Sequence, residues 1–406
     1  MKYFAIAAAA LTLTACGQPT APTVPATPTR ANYRLADAPA GTALLVRYKD
    51  GQEGRHGLIG FQGNTFGLAR AYRYPVANAA ARATMMAKFQ ADPAVEVVEP
   101  DYRMYTYATP TDPSYGQQWD MAKIQLGAAL DVTPGKESAL VACVDSGVDY
   151  NHPDLAGQVA KGHDFVNNDD DPMDDNGHGS HTAGTVAART NNGTGIAGVA
   201  GGCKVLAVKV MDANGGGDVS NISAGIDYAV KAGAKVINLS LGAPQESQIL
   251  HAAVQQAVKA GVVVVAAAGN DGSTTRNYPA AYPEVLSVGA TDENDARANF
   301  STFGSWVKIA APGTHILSTF KGAYKQLDGT SMASPHVAGA AALVRSLHPE
   351  WTVDQVCNAL ITSGDACTGF ESAPSLRRLN VAKALGATAA APVAADPAPV
   401  AADPAP

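Results

Sequence analysis

Leu327-Asp328-Gly329-Thr330-Ser331-Met332-Ala333-Ser334-Pro335-His336-Val337-Ala338-Gly339 places a serine at the first turn of a helix built from small and apolar residues. Gly329 permits a sharp backbone entry that a side chain would hinder. Pro335 fits near the helix start, where the first N–H groups lack intrahelical partners. Gly339, Ala338 and Ala340 to Ala342 let the helix pack closely. A hydroxyl there stands at the positive end of the helix dipole beside free backbone donors, an arrangement able to stabilise an oxyanion. A Gly-Thr-Ser loop that merely caps a core helix has the same local sequence. Other segments must decide.

A serine hydroxyl needs a base, and the base needs a group to orient it. Asp145 ends the run Ala139-Leu140-Val141-Ala142-Cys143-Val144, the near-continuous apolar pattern of a buried parallel strand. An acid at the carboxyl end of such a strand stands where open α/β sheets bind ligands, although Asp-Ser-Gly is also a turn sequence. His178 lies in Asn176-Gly177-His178-Gly179-Ser180-His181-Thr182-Ala183, a loop entering a small-residue helix. Two histidines three apart could face a metal, but the neighbouring third ligands are hard carboxylates, a poor set for zinc. Val262 to Ala268 reads as a buried strand, followed by Gly269 and Asn270. Asn270 either forms an Asn-Asp-Gly turn or donates to the point faced by the Ser331 N–H.

These four segments resemble the active-site blocks of the subtilisin-like serine peptidases, in that family's order of Asp, His, Ser. The likeness runs from about residue 112 to about residue 385. It is nearest the thermitase-like branch, notably in Thr190-Asn191-Asn192-Gly193-Thr194-Gly195-Ile196-Ala197-Gly198. The resemblance implies an α/β fold, a mostly parallel central sheet with helices on both faces, preceded by a small α+β domain. It implies Ser331 as nucleophile, His178 as base, Asp145 as its orienting acid, and Asn270 with the Ser331 N–H as oxyanion hole. His181 then is a structural neighbour. Ser180 departs from the threonine usual in the family. The resemblance also implies substrate-pocket walls at Ser240-Leu241-Gly242 and Ala268-Gly269, polypeptide substrates and a monomeric enzyme.

Calcium is the implied cofactor. The family's strong site matches the carboxylates of Asp112 and Asp154, the side chain of Asn192, and the carbonyls of Arg189, Thr194 and Ile196. A second site in thermitase-like relatives matches Asp164, Asp169 and Asp171, within a loop that also holds Asp170, Asp174 and Asp175. There Met173 replaces a polar ligand. Crowded carboxylates need either a hard cation such as Ca²⁺ or full solvation.

The chain has 406 residues, enough for a catalytic unit with appendages. Its net charge of −7, without any basic run, argues against nucleic acid as a partner. Beyond the N-terminus no apolar stretch reaches the ~20 residues that span a bilayer. Residues 1–16 have the layout of an export signal ending in Leu13-Thr14-Ala15-Cys16. That ending resembles a bacterial lipoprotein box, with Cys16 lipidated as the sole membrane contact; a conventional cut near Ala15 is the alternative. Residues 17–37 form a Thr/Pro/Ala-rich linker. Residues 38–107 carry a strand from Thr42 to Tyr48, a helix from Asn78 to Gln90 and a strand from Val95 to Tyr105. This resembles the family's inhibitory propeptide, with a junction after Tyr107; an unrelated accessory domain would carry the same elements. Residues 108–385 are the catalytic unit, and residues 386–406 an Ala/Pro-rich tail unable to bury a core.

Within the catalytic unit, strands are expected at 138–145, 204–210, 235–240, 262–268, 284–290 and 306–310, and helices at 218–232 and 247–260. A further helix from Trp351 to Thr362 has Thr352 as its cap. Export permits disulfides. Cys357 and Cys367 could close a local loop, whereas Cys143 inside a strand reads as a small buried hydrophobe. Two rivals share this sequence pattern: a silent binding protein, and a hydrolase of small esters.

Overall fold

A computed structural model describes residues 43–52, 65–66, 71–76, 78–101, 109–373 and 375–387. Cys16, Tyr107, the linker and the tail lie outside the described residues. The first elements are β1 (Ala43–Tyr48), β2 (Thr65–Phe66), β3 (Ala71–Pro75), α1 (Ala79–Ala91) and β4 (Val95–Pro100). The strands pair antiparallel in the order β2-β3-β1-β4. Alternate residues of β1 (Leu44, Val46, Tyr48) join Tyr74 and Phe89 in a small core, as the period of two requires. Asn78 caps α1 by accepting from the Ala81 N–H. The strand expected to reach Tyr105 ends at Pro100.

The rest runs α2 (Trp119–Lys123), α3 (Leu126–Val132), β5 (Val141–Asp145), β6 (Val159–Asp164), α4 (His178–Ala187), β7 (Val205–Lys209), α5 (Val219–Lys231), β8 (Val236–Leu239), α6 (Gln248–Lys259) and β9 (Val263–Ala267). Then follow β10 (Leu286–Thr291), β11 (Ile309–Pro312), β12 (Ile316–Phe320), β13 (Ala323–Leu327), α7 (Thr330–Leu347), α8 (Val353–Ser363), β14 (Asp365–Ala366), β15 (Arg377–Arg378) and α9 (Val381–Ala384). Nine strands form one sheet in the order β14-β15-β11-β10-β9-β8-β5-β7-β6, parallel except for the β14–β15 pair. The chain leaves β5 toward one edge through β6 and β7, then crosses to β8 and builds toward the other edge. The order therefore reverses at β5, and Asp145 stands at its carboxyl end.

Successive residues of each central strand point to opposite layers. Val141, Cys143, Val263 and Val265 face the layer that holds α4, α7 and α8. Ala142, Val144, Val264 and Ala266 face α5 and α6. Burial on both faces explains why these strands read as unbroken apolar runs. Helix α7 is almost wholly buried. A Cβ on Gly339 would lie 2.8 Å from the Cβ of Val199, so only glycine allows that approach.

Pro335 is the sixth residue of α7, beyond the turn whose N–H groups are orphaned anyway. Its missing N–H frees the carbonyl of Ser331, four residues back. The Ser240 hydroxyl donates to that carbonyl at 2.8 Å. A loss inside the helix has become a tie between the helix and the segment that follows β8.

Besides the short elements β2, β3, α2, α3, β14, β15 and α9, an edge strand and a hairpin were not expected. Edge strand β6 contains Lys161, Gly162 and His163 and shows no apolar run. Hairpin β12–β13 turns through Lys321 and Gly322, both at positive φ (43° and 73°), the requirement of a tight two-residue turn. The possible Cys357–Cys367 bridge is absent. All four described cysteines are free; Cys357 packs on the main core, and Cys367 beside Phe370 in a separate cluster. Thr352 does cap α8, in a reciprocal pair with Gln355.

Leu343 is fully buried in the α7 layer. Leu343→Ala is expected to lose about 2–5 kcal/mol, read from the denaturant midpoint at unchanged slope.

Candidate active site

Asp145 is buried, 1% exposed. His178 opens α4, and its Nδ1 lies 2.7 Å from Asp145 Oδ1. The Ser146 N–H donates to the same carboxylate oxygen at 2.7 Å. With its proton on Nδ1, the imidazole presents Nε2 as a proton acceptor. Burial pulls the imidazole pKa down, but the charge and hydrogen bond of Asp145, with the charge of Asp174, outweigh it and hold the ring above its ordinary value. The helix start lies hard against the end of β5: a Cβ on Gly179 would sit 2.1 Å from the Gly147 carbonyl oxygen.

Ser331 is the second residue of α7. Its hydroxyl donates to the Ser240 carbonyl at 3.0 Å, and among the described residues no hydrogen bond joins it to His178. Asn270 is held by Thr330. The Thr330 N–H and hydroxyl both donate to Asn270 Oδ1, at 2.8 and 2.9 Å. This fixes the amide with its nitrogen turned away from Thr330. The Asn270 nitrogen and the Ser331 backbone nitrogen are each 3.5 Å from one point, where a Cβ on Gly329 would fall. Both nitrogens therefore border the small space beside Gly329.

Of the expected substrate walls, Ser240 touches Ser331 through two hydrogen bonds, and the Gly269 N–H donates to the Thr330 hydroxyl at 3.0 Å. Leu241 packs partly against the α5–α6 layer. Gly242 faces the Tyr278 carbonyl. Ala268 is fully buried in the small cluster with Phe370, so any part it plays is through its backbone. His181 is fully buried, with Nε2 3.0 Å from the carbonyls of both Ile316 and Lys325. Burial lowers its pKa to about 4, so it is a neutral ring that bridges α4 to the β12–β13 hairpin.

The family model of the subtilases, Peptidase_S8, matches residues 136–387. The chain belongs to the subtilase family. It is 51% identical over 257 residues to a thermophilic serine proteinase of a Bacillus species, an alignment covering 63% of this chain and 64% of that protein. It is 47% identical over 279 residues to thermitase of Thermoactinomyces vulgaris, covering 68% of this chain and 99% of thermitase. Among solved structures, a protease of Pseudoalteromonas arctica superposes with a TM-score of 0.64 at 32% identity, over 69% of this chain and 99% of that one. By this membership the chain is a subtilisin-like serine proteinase, a hydrolase.

Calcium, common in subtilases, finds a fitting donor set at one of the two expected places. Asp112 and Asp154 are buried, and no lysine or arginine pairs with either among the described residues. Burial first, and the neighbouring Asp154 charge as well, raise the Asp112 pKa. Asn192 donates to Asp154 at 2.7 Å, the Ile196 N–H donates to the other Asp154 oxygen at 2.8 Å, and the Arg189 N–H donates to the Asp154 carbonyl. Thr194 is tied in through its N–H to Asn192 Oδ1. Asp112 accepts from the Asn191 and Asn192 N–H groups and Asp154 also from the Tyr324 hydroxyl, so the two buried carboxylates have donors but no cationic side chain, a setting that suits a hard cation. No group of three His, Cys, Asp or Glu side chains able to hold a metal occurs at either place among the described residues. Asp164 accepts from the Val166 and Asn167 N–H groups, Asp169 from the Asp171 N–H, and Asp171 from the Tyr150 hydroxyl. The loop satisfies its own carboxylates.

Sequence reasoning did not single out Thr330, Ser146 or Lys209 for the site. Each adjoins a recognised residue along the chain or across a strand pair, but nothing in its type announces the contact. In Ser331→Ala protein, imidazole NMR titration is expected to show His178 above the ordinary histidine value of about 6.5 and His181 neutral down to about 4. Asp145→Asn should bring the His178 midpoint down.

Proposed function

We propose that this chain is an exported serine endopeptidase, made as a self-processing proenzyme, that cleaves proteins through an acyl-enzyme on Ser331. The observation that carries the reading is the Asp145–His178 contact of 2.7 Å; the Asn270 amide nitrogen and the Ser331 backbone nitrogen bordering one space beside Gly329 support it. The Ser331 oxygen attacks the scissile carbonyl while its proton passes to His178 Nε2. The Ser331 N–H and Asn270 amide hold the oxyanion. Collapse expels the amine, which takes the proton from His178, and water then releases the acyl group by the same steps. Asp145 keeps the ring oriented and stabilises its charged form. For this the Ser331 hydroxyl must turn from the Ser240 carbonyl toward the imidazole, a rotation about one side-chain bond.

Residues 38–107 serve in this reading as an intramolecular inhibitor with its junction near Tyr107, and residues 108–385 as the mature enzyme. Substrate lies along Ser240-Leu241-Gly242 and Ala268-Gly269. The described antiparallel sheet with its single helix supports a separate small domain ahead of the catalytic one. Export follows from the N-terminal layout, with lipid on Cys16 as the anchor. Asp112, Asp154, Asn192 and the carbonyls of Arg189, Thr194 and Ile196 would hold calcium, which supplies a charge that neutralises the two carboxylates.

Below its His178 pKa the enzyme loses its base, so kcat/KM should fall on the acid side as pH drops through that raised value. With casein, the wild type should digest and Ser331→Ala should not; an equal rate from both would refute the reading. Ester turnover without digestion would favour the esterase. Chelator should lower the Tm of the mature protein, because an ion bound only by the folded state stabilises it. A Tm indifferent to chelator excludes the calcium assignment.

A further inference from the structure

Asp174 belongs to the acidic loop before His178, yet it behaves unlike its neighbours. It is 6% exposed, whereas Asp169, Asp170, Asp171 and Asp175 are exposed. Its carboxylate accepts five hydrogen bonds. Oδ1 takes the Ser146 hydroxyl at 2.9 Å and the N–H groups of Asn176 and Gly177 at 3.0 and 2.8 Å. Oδ2 takes the N–H and hydroxyl of Ser180 at 2.8 and 2.6 Å. Three of these donors are backbone groups around the first turn of α4, the helix that begins with His178. A carboxylate there satisfies orphan N–H groups and opposes the helix dipole.

The fifth donor carries the argument. Ser146 follows Asp145, and each of its polar atoms is engaged. Its N–H donates to the Asp145 oxygen that also receives His178. Its hydroxyl donates to Asp174 and accepts from the Gly179 N–H at 2.9 Å. Its carbonyl accepts from the Lys209 ammonium at 2.8 Å. Lys209 is itself buried, with its other donors on Asp175 and the Met211 carbonyl. One carboxylate therefore grips both the helix bearing the base and the residue that orients the acid. Ser180 completes the grip, since its hydroxyl reaches Asp174 while accepting from the Asp149 N–H.

We infer that Asp174 is a positioning residue for the catalytic pair, locking the start of α4 to the end of β5 and adding a second negative charge behind the imidazole. This rests on the function proposed above. Substrate and reacting atoms do not touch Asp174; it acts through Ser146 and His178. The charged groups around the ring are Asp145 on β5, Asp174 before α4, and Lys209 on β7 with its partner Asp175. His181 stands one turn along α4, near His336 of α7. Asp174 adds to the rise in the His178 pKa, after Asp145.

The test compares Asp174→Asn with Ser146→Ala. Asp174→Asn removes the charge and turns an amide toward donors, so kcat should drop about tenfold to a hundredfold, the cost of slight misplacement. KM should stay within a factor of about two, and the acid limb of kcat/KM should move to lower pH by on the order of half a unit. Ser146→Ala keeps the carboxylate, so kcat should fall while the acid limb stays. A folded Asp174→Asn enzyme with unchanged kcat and acid limb overturns the inference, as does a loss of rate that only parallels a lower Tm. The His178 imidazole titration in full-length Ser331→Ala protein, with and without Asp174→Asn, needs no turnover. An unmoved midpoint there defeats this inference alone, whereas an inactive wild type defeats the function it rests on. Should Asp174→Asn fail to fold, Ser146→Ala decides: a displaced acid limb or an undiminished kcat rejects the proposal.

Discussion

A carboxylate at 1% exposure has to be compensated where it stands, and Asp145 is compensated by the ring of His178 and the N–H of Ser146. The rest of the site is arranged around that need. Because the order of strands reverses at β5, its carboxyl end opens on a crevice between two diverging crossovers. An acid one residue earlier would point into a core layer, since side chains alternate along the strand. Helix α4, between β6 and β7, and helix α7, after the β12–β13 hairpin, lie in one layer on the same side of the sheet. Helices α4 and α7 are brought side by side by topology before any side chain interacts.

How much of this the sequence disclosed depended on whether a residue's role was local. The central strands were visible because they are buried on both faces, and six expected positions overlap β5, β7, β8, β9, β10 and β11. Helices α5 and α6 fell within one residue of their expected limits, and Thr352 caps α8 as its type suggests. Edge strand β6 stayed hidden because its one buried face leaves room for Lys161 and His163. The calcium residues divided for the same reason. Asp112 and Asp154 are far apart in the chain, are buried and take their donors from a third segment around residues 191–196, whereas Asp164, Asp169 and Asp171 are close in the chain and are mostly bonded within their own loop. Composition cannot tell an acid that caps a turn from one that awaits a cation.

Pro335 shows a different limit. From the sequence its missing N–H looked harmless, yet it stands where a helical bond to Ser331 is forfeited. The compensation comes from Ser240, 91 positions away, and could not be read from the helix itself. The forfeited bond also frees the carbonyl of the very residue whose hydroxyl must be placed. Ser240 thereby serves the stability of α7 and the position of Ser331 in a single contact. A proline that would weaken an ordinary helix here gives the segment after β8 a hold on Ser331.

The two helices are anchored in parallel ways. The first turn of α4 is bound to the end of β5 through Asp174 and Ser146. The first turns of α7 are bound to β8 and the segment following it, through Ser240 to the Ser331 carbonyl and Ser334 to Asn238, at 2.8 and 2.7 Å. On its other side, His336 of α7 meets Asp120 at 2.8 Å, both fully buried. Strands β5 and β8 are neighbours in the sheet, about 4.8 Å apart across their hydrogen bonds. The separation of these two helix starts is therefore set by the spacing of two paired strands, among the least compliant distances in a protein. Loops can vary around such a site without moving its reacting groups, because the dimension that matters is carried by the backbone ladder.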